Sequence, residues 1–146
     1  MRKMVYKIKV QWSDTDAAGI VFFGNFYKWM DAAAHHFFNQ IGLNPETLYE
    51  KEKITYPLLE AQCQFKSPLR FGDEVTVVSS VVEASRRAFK MTHDFYKKDK
   101  LVASGYTWRA WTDFSGTEPK AVPIPDEVKE AFGLPGKDAP VATESR

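Results

Sequence analysis

The segment Trp12-Ser-Asp-Thr-Asp-Ala-Ala-Gly-Ile-Val-Phe-Phe-Gly-Asn-Phe26 sets two carboxylates, Asp14 and Asp16, just ahead of an apolar, glycine-punctuated run. An aspartate in such a place has two ordinary uses. It can cap a turn or helix start, a contact worth a few tenths to about 1 kcal/mol. It can also serve as a nucleophile or general base where donors nearby polarise an electrophile. A helix starting near Asn25 would supply those donors, because its first backbone N–H groups have no intrahelical acceptor. Such groups favour an anion or a developing oxyanion. A carboxylate placed shortly before them is a compact kit for attack on a carbonyl.

Other chemistry-bearing residues are weaker candidates. Asp31 falls on the helix side shared with Lys28 and His35, where an Asp31–His35 pair at i,i+4 would contribute only ~0.3 kcal/mol. His35 and His36 are adjacent, so on a helix they point about 100° apart and do not share a ligand site. No third ligand has a suitable spacing, so no metal is expected. His93 alternates with Phe89, Met91 and Phe95 and reads as a semi-buried strand histidine. Arg86, Arg87 and Lys90 form a basic group that, on the residues alone, reads as solvated. Lys97, Lys98 and Lys100 lie at a turn. Cys63 has no activating neighbour in the sequence and reads as a core residue.

The elements that must hold these groups follow from periodicity. Met4 to Trp12 alternates, with Met4, Tyr6, Ile8, Val10 and Trp12 on one face of a half-buried strand. Phe26, Met30, Ala33, Phe37 and Ile41 recur at steps of three and four, the mark of one helical face. Asn25 is the expected N-cap and Gly42 the C-terminal stop. The helix would span about 17 residues and ~25 Å. A short helical connection follows Asn44-Pro45. Strands are then expected around Leu59–Phe65, Glu74–Val82, Phe89–Tyr96 and Leu101–Thr112, the last two forming a hairpin about the Lys97–Lys100 turn. A short helix from Pro125-Asp126 to Phe132 precedes a Pro-, Gly- and charge-rich tail over 133–146, expected to fray. One strand, one long helix and four strands make an α+β domain, a sheet of about five antiparallel strands around one long central helix.

The 146 residues suit a single domain. A formal charge of +1 gives no electrostatic case for nucleic acid or an anionic membrane surface. No apolar run approaches the roughly 20 residues of a membrane helix, and the N-terminus lacks an apolar signal core. A lone cysteine fits a reducing compartment, so a cytoplasmic location is expected. Aromatic residues are 14 % of the chain, enough to suggest a thick core or an aromatic pocket.

The run from Val10 to Phe26, continued by Tyr27-Lys-Trp-Met-Asp31-Ala-Ala-Ala34, resembles the 4-hydroxybenzoyl-CoA thioesterase family of hotdog-fold proteins. The matching features are Asp14-Thr15-Asp16, Ala17-Ala18, Gly19-Ile20-Val21, Phe22-Phe23 and Asn25-Phe26. The resemblance implies an acyl-CoA thioesterase that uses no cofactor. It makes Asp16 the catalytic carboxylate, as nucleophile or as base for water. It also makes the backbone N–H of Phe23, with that of Gly24, the donors to the thioester oxygen, and leaves Asp14 to shape the turn. Asp31 would meet the ring hydroxyl of a 4-hydroxybenzoyl group, and Arg86, Arg87 and Lys90 would take the coenzyme A phosphates. A homodimer or homotetramer with sites between subunits is implied too: Tyr27, Ala34 and Phe38 flank Asp31 and would want cover. Three alternatives stay open: a short-chain aliphatic substrate, a non-catalytic acyl-CoA-binding module, and a hotdog hydratase. The last is disfavoured because no histidine lies in the strand-to-helix segment.

Overall fold

The computed structural model describes residues 1–134. In chain order it holds β1 (Met4–Lys9), a 3-10 turn (Trp12–Asp14), α1 (Gly24–Gln40), α2 (Pro45–Glu52), β2 (Ile54–Thr55) and β3 (Leu58–Phe65). Then come β4 (Glu74–Ala84), β5 (Ala88–Lys97), β6 (Lys100–Ala110), β7 (Thr112–Asp113), β8 (Lys120–Ala121) and α3 (Asp126–Ala131). Five strands form one antiparallel sheet in the order β1-β4-β5-β6-β3. The three short strands make a second sheet, β2-β7-β8, which had no periodic signal to announce it.

α1 lies on the inner face of the large sheet. Its apolar stripe buries Phe26, Met30, Ala33 and Phe37, each large side chain contributing about 1.5–3 kcal/mol. The close fit needs a glycine: a Cβ on Gly105 of β6 would stand 2.9 Å from Met30 Sδ and 2.7 Å from the Gln62 carbonyl. Gly42 ends the helix region at φ +81°, as expected of a stop.

Several expectations are corrected. α1 begins at Gly24 with Phe23 at the cap position and no side-chain cap. Asn25 is inside the first turn, and its Nδ2 donates to the Asp14 carbonyl instead (2.8 Å). Trp12 leaves the strand for the 3-10 turn and is 78 % exposed. Ala34 and Phe38 need no second subunit to cover them. Phe38 is fully buried and stacks on Tyr56 (centroids 4.1 Å apart), with Phe89 and Phe132 closing around it. The C-terminal helix and the Tyr56 segment supply the cover that periodicity alone could not place.

β3 also departs from its alternating pattern. Only Cys63 is buried, and Leu58, Leu59 and Phe65 are exposed. β3 is an edge strand with one side unpaired among the described residues, and a register shift between Leu58 and Glu60 turns Leu59 outward, 63 % exposed. At the other end, Gly133 packs against Arg2 and Leu134 joins the core. The expected fraying therefore does not begin at residue 133. The remainder of that tail, 135–146, lies outside the described residues.

Candidate active site

The acidic segment folds into a small closed loop. Gly19 at φ +79° lets the chain reverse, Thr15 bridges Val21, and Asp16 N–H donates to the Ile20 carbonyl (2.9 Å). The two aspartates do different work in it. The Asp14 carboxylate accepts the Gln11 N–H (2.8 Å), and its carbonyl accepts from both Phe22 N–H (2.9 Å) and Asn25 Nδ2 (2.8 Å). Asp14 thus fastens the loop to the first turn of α1. The Asp16 side chain is exposed; its Oδ1 accepts the Ala18 N–H (2.9 Å), while its Oδ2 has no partner among the described residues.

The start of α1 offers donors beside this loop. Asn25 N–H bonds to the Phe22 carbonyl and Phe26 N–H to that of Phe23. The amides of Phe23 and Gly24 have no acceptor among the described residues. The lack of a side chain on Gly24 leaves room for the Phe22 ring, whose Cε2 would be 2.8 Å from a Cβ there. An apolar groove of about 480 Å³ opens alongside, lined by Ile20, Val21, Phe23, Phe26, Phe65 and Leu69 among others. Phe65 meets Phe26 edge-on at 5.1 Å, a geometry that suits a flat apolar guest.

Asp31 is not paired with His35. Its Oδ1 accepts from Arg109 Nη2 of β6 (2.9 Å), and its side chain remains 69 % exposed. Arg109 is buried; its Nη1 donates to the Tyr56 carbonyl (3.2 Å). Arg109 was missed in the sequence reading, although one signal was present: it alternates inward with Gly105 and Thr107, and a cation there needs a partner. Asp31 stands eight residues beyond Phe23, so ~12 Å further along the helix axis.

The basic candidates are not brought to Asp16 within one chain. Arg86 and Arg87 are exposed in the β4–β5 turn, whereas β4 begins, at Glu74, beside Lys9 and the acidic segment. An 11-residue strand separates the two ends, ~35 Å at the usual rise. Lys90 lies over the Tyr106 ring (4.5 Å), whose hydroxyl donates to Glu60 (2.7 Å). Lys97 is paired with Asp73 (3.1 Å). Burial pushes the Cys63 thiol up to about 11, which suits a packed and unreactive sulfur. His93 is fully buried rather than semi-buried, with Nδ1 2.6 Å from Ser79 Oγ. Burial, and then the Arg109 charge, push it down to about 3. His36 rests against the Tyr6 ring. Among the described residues no three His, Cys, Asp or Glu side chains cluster as metal ligands, and no helix is long and apolar enough to cross a membrane.

A curled antiparallel sheet around one long helix is the hotdog fold, here with an aspartate on the loop that enters the helix. Residues 10–132 match the family model described as the thioesterase-like superfamily. The chain belongs to that superfamily and is an acyl-CoA thioesterase. It is similar to a solved gentisyl-coenzyme A thioesterase, at 44 % identity and a TM-score of 0.79, over 89 % of this chain and 99 % of that one. It is 27 % identical to a 1,4-dihydroxy-2-naphthoyl-CoA hydrolase of Microcystis aeruginosa, covering 89 % of this chain and 93 % of the relative. It is 25 % identical to a 4-hydroxybenzoyl-CoA thioesterase of a Pseudomonas species, covering 88 % and 96 % respectively.

Proposed function

We propose that the chain hydrolyses the thioester of a hydroxylated aromatic acyl-CoA such as 4-hydroxybenzoyl-CoA, with Asp16 as nucleophile or general base. One observation carries this reading: Asp14 ties an exposed Asp16 to a helix start whose Phe23 and Gly24 amides have no acceptor among the described residues. The thioester oxygen would accept from those amides, which sharpens the carbon as an electrophile and stabilises the tetrahedral oxyanion. Asp16 Oδ2 then either attacks the carbon directly or takes a proton from attacking water; in both routes the coenzyme A thiolate leaves. All the groups needed belong to the chain itself, so the reaction calls for no cofactor or metal. Free CoA esters and a single cysteine fit a cytoplasmic setting.

The aromatic acyl group is favoured by Asp31. An exposed carboxylate oxygen can accept from a ring hydroxyl, and it has no use on an alkyl chain. The three relatives above are named for gentisyl, dihydroxynaphthoyl and 4-hydroxybenzoyl esters, all hydroxylated aryl groups.

The site is completed between two copies. Within one chain Asp31 stands ~12 Å beyond the free amides, and Arg86 and Arg87 are at the far end of the sheet. The edge of β3, unpaired among the described residues, with Leu58 and Leu59 exposed at one end and Phe65 exposed at the other beside Phe23 (6.4 Å), supports pairing with a second copy. Two chains meeting antiparallel along β3 set the far end of one beside the Asp16 end of the other. Arg86, Arg87 and Lys90 are then the candidates for the coenzyme A phosphates, and Arg86 and Arg87 form no ion pair among the described residues.

The test is thiol release from a panel of 4-hydroxybenzoyl, 2,5-dihydroxybenzoyl, benzoyl, phenylacetyl, acetyl, butyryl and long-chain CoA esters. A hydroxylated aryl ester is expected to show the highest kcat/KM. Preference for acetyl or butyryl esters would overturn the aromatic assignment, and binding without hydrolysis would overturn the enzymatic one.

A further inference from the structure

Among the described residues Arg109 is the only buried lysine or arginine. It arises on the inward face of β6 and reaches Asp31 of α1 across 78 positions of sequence. Burying a guanidinium is costly unless the charge is neutralised and its N–H groups are bonded. The usual remedy is a carboxylate drawn in against it, both oxygens on the fork. Here the remedy is partial. Nη2 holds Asp31 Oδ1 at 2.9 Å, Nη1 holds the Tyr56 carbonyl at 3.2 Å, and the guanidinium carbon stands 5.9 Å from the Tyr56 ring centre. Among the described residues Arg109 Nε has no partner, and Asp31 Oδ2 has none either, on a carboxylate that is 69 % exposed.

Tyr56 is itself locked, stacked between Phe38 (4.1 Å, 18°) and Trp111 (6.3 Å, 14°). Both anchors of Arg109 below Asp31 are therefore rigid. We propose that Arg109 is a positioning residue for substrate choice: it fixes the Asp31 carboxylate by one oxygen so that the other accepts from a ring hydroxyl. This rests on the reading of Asp31 given above. A carboxylate already satisfied by a permanent cation can only accept. It therefore selects rings that carry a proton to donate, and it rejects an ether or halide at the same position.

The test is the ratio of kcat/KM for 4-hydroxybenzoyl-CoA to that for benzoyl-CoA, measured for wild type, Asp31→Ala, Arg109→Met, Arg109→Lys and the Asp31→Ala/Arg109→Met double variant. Loss of folded protein lowers both substrates alike and cancels in the ratio. Arg109→Met is expected to lower the ratio by about tenfold, and the double variant no further than Asp31→Ala alone. Arg109→Lys keeps a charge at Asp31 and is expected to recover part of the ratio. The proposal is overturned if Asp31→Ala collapses the ratio while Arg109→Met leaves it within about twofold of wild type. Equal loss on both substrates in Asp31→Ala would instead sink the Asp31 reading, and this inference with it. Should Arg109→Met prove insoluble, Arg109→Gln, which removes the charge, decides by the same ratio: a value within about twofold of wild type counts against a positioning role.

Discussion

At the scale of single residues, the acidic pair resolves into one scaffold and one free group. The Asp14 side chain and carbonyl are both bonded in the turn; Asp16 keeps one oxygen without a partner among the described residues. Phe23 invites a test of the amides as donors, because the group proposed to act there is its backbone N–H, while its ring lines the groove. Its φ of −58° is one that proline adopts. Phe23→Ala removes the ring and keeps the N–H, whereas Phe23→Pro removes both. Against Phe23→Ala, Phe23→Pro is expected to lose about 10²–10³ in kcat with little change in melting temperature. Equal kcat values for the two variants, both folded, would remove that amide from the reaction.

At the scale of elements, β5 carries a buried histidine into the core, where the Arg109 charge also acts on it. His93 is held down to about 3 in the folded chain, against the usual 6.5. Below pH 6.5 the unfolded chain binds a proton that the folded chain refuses, so its contribution is intact above that pH and is lost as the pH falls. The slope reaches about 1.4 kcal/mol per pH unit between the two values. Denaturant unfolding from pH 7 to 5 is expected to show this loss, and a shallower one in His93→Gln. Parallel pH profiles for the two proteins would contradict it.

How far the elements were legible depended on whether their pattern was local. α1, β4, β5 and β6 were readable because periods of 3.6 and 2 reflect burial on one face; α2 was announced by Asn44-Pro45, and β3 alternates in sequence although only its Cys63 is buried. The start of α1 was misplaced by the expectation of an asparagine cap. Asn25 instead bonds an atom 11 residues back, which no local rule reports. β2, β7 and β8 were illegible, since two-residue strands exist only through their pairing. The same holds at the site. Asp16, Phe23 and Gly24 lie in one contiguous segment and could be singled out together. The Asp31–Arg109 contact spans 78 positions and emerged only on folding.

At the scale of the whole molecule, the proposed pairing along β3 would give each chain half of two sites. If Asp16 and Asp31 act from different copies, neither variant chain alone forms an intact site, but a mixed dimer of Asp16→Asn and Asp31→Ala restores one. After subunit exchange at equal amounts, activity on 4-hydroxybenzoyl-CoA is expected to rise to about a quarter of wild type, half the dimers carrying one good site of two. No recovery after proven exchange would put both aspartates in the same copy. The most direct measurement concerns Asp16 itself: single-turnover hydrolysis and binding of 4-hydroxybenzoyl-CoA by Asp16→Asn beside wild type. Hydrolysis is expected to fall by about a thousandfold or more while the ester still binds. Turnover within a few fold of wild type would mean that another group attacks the thioester.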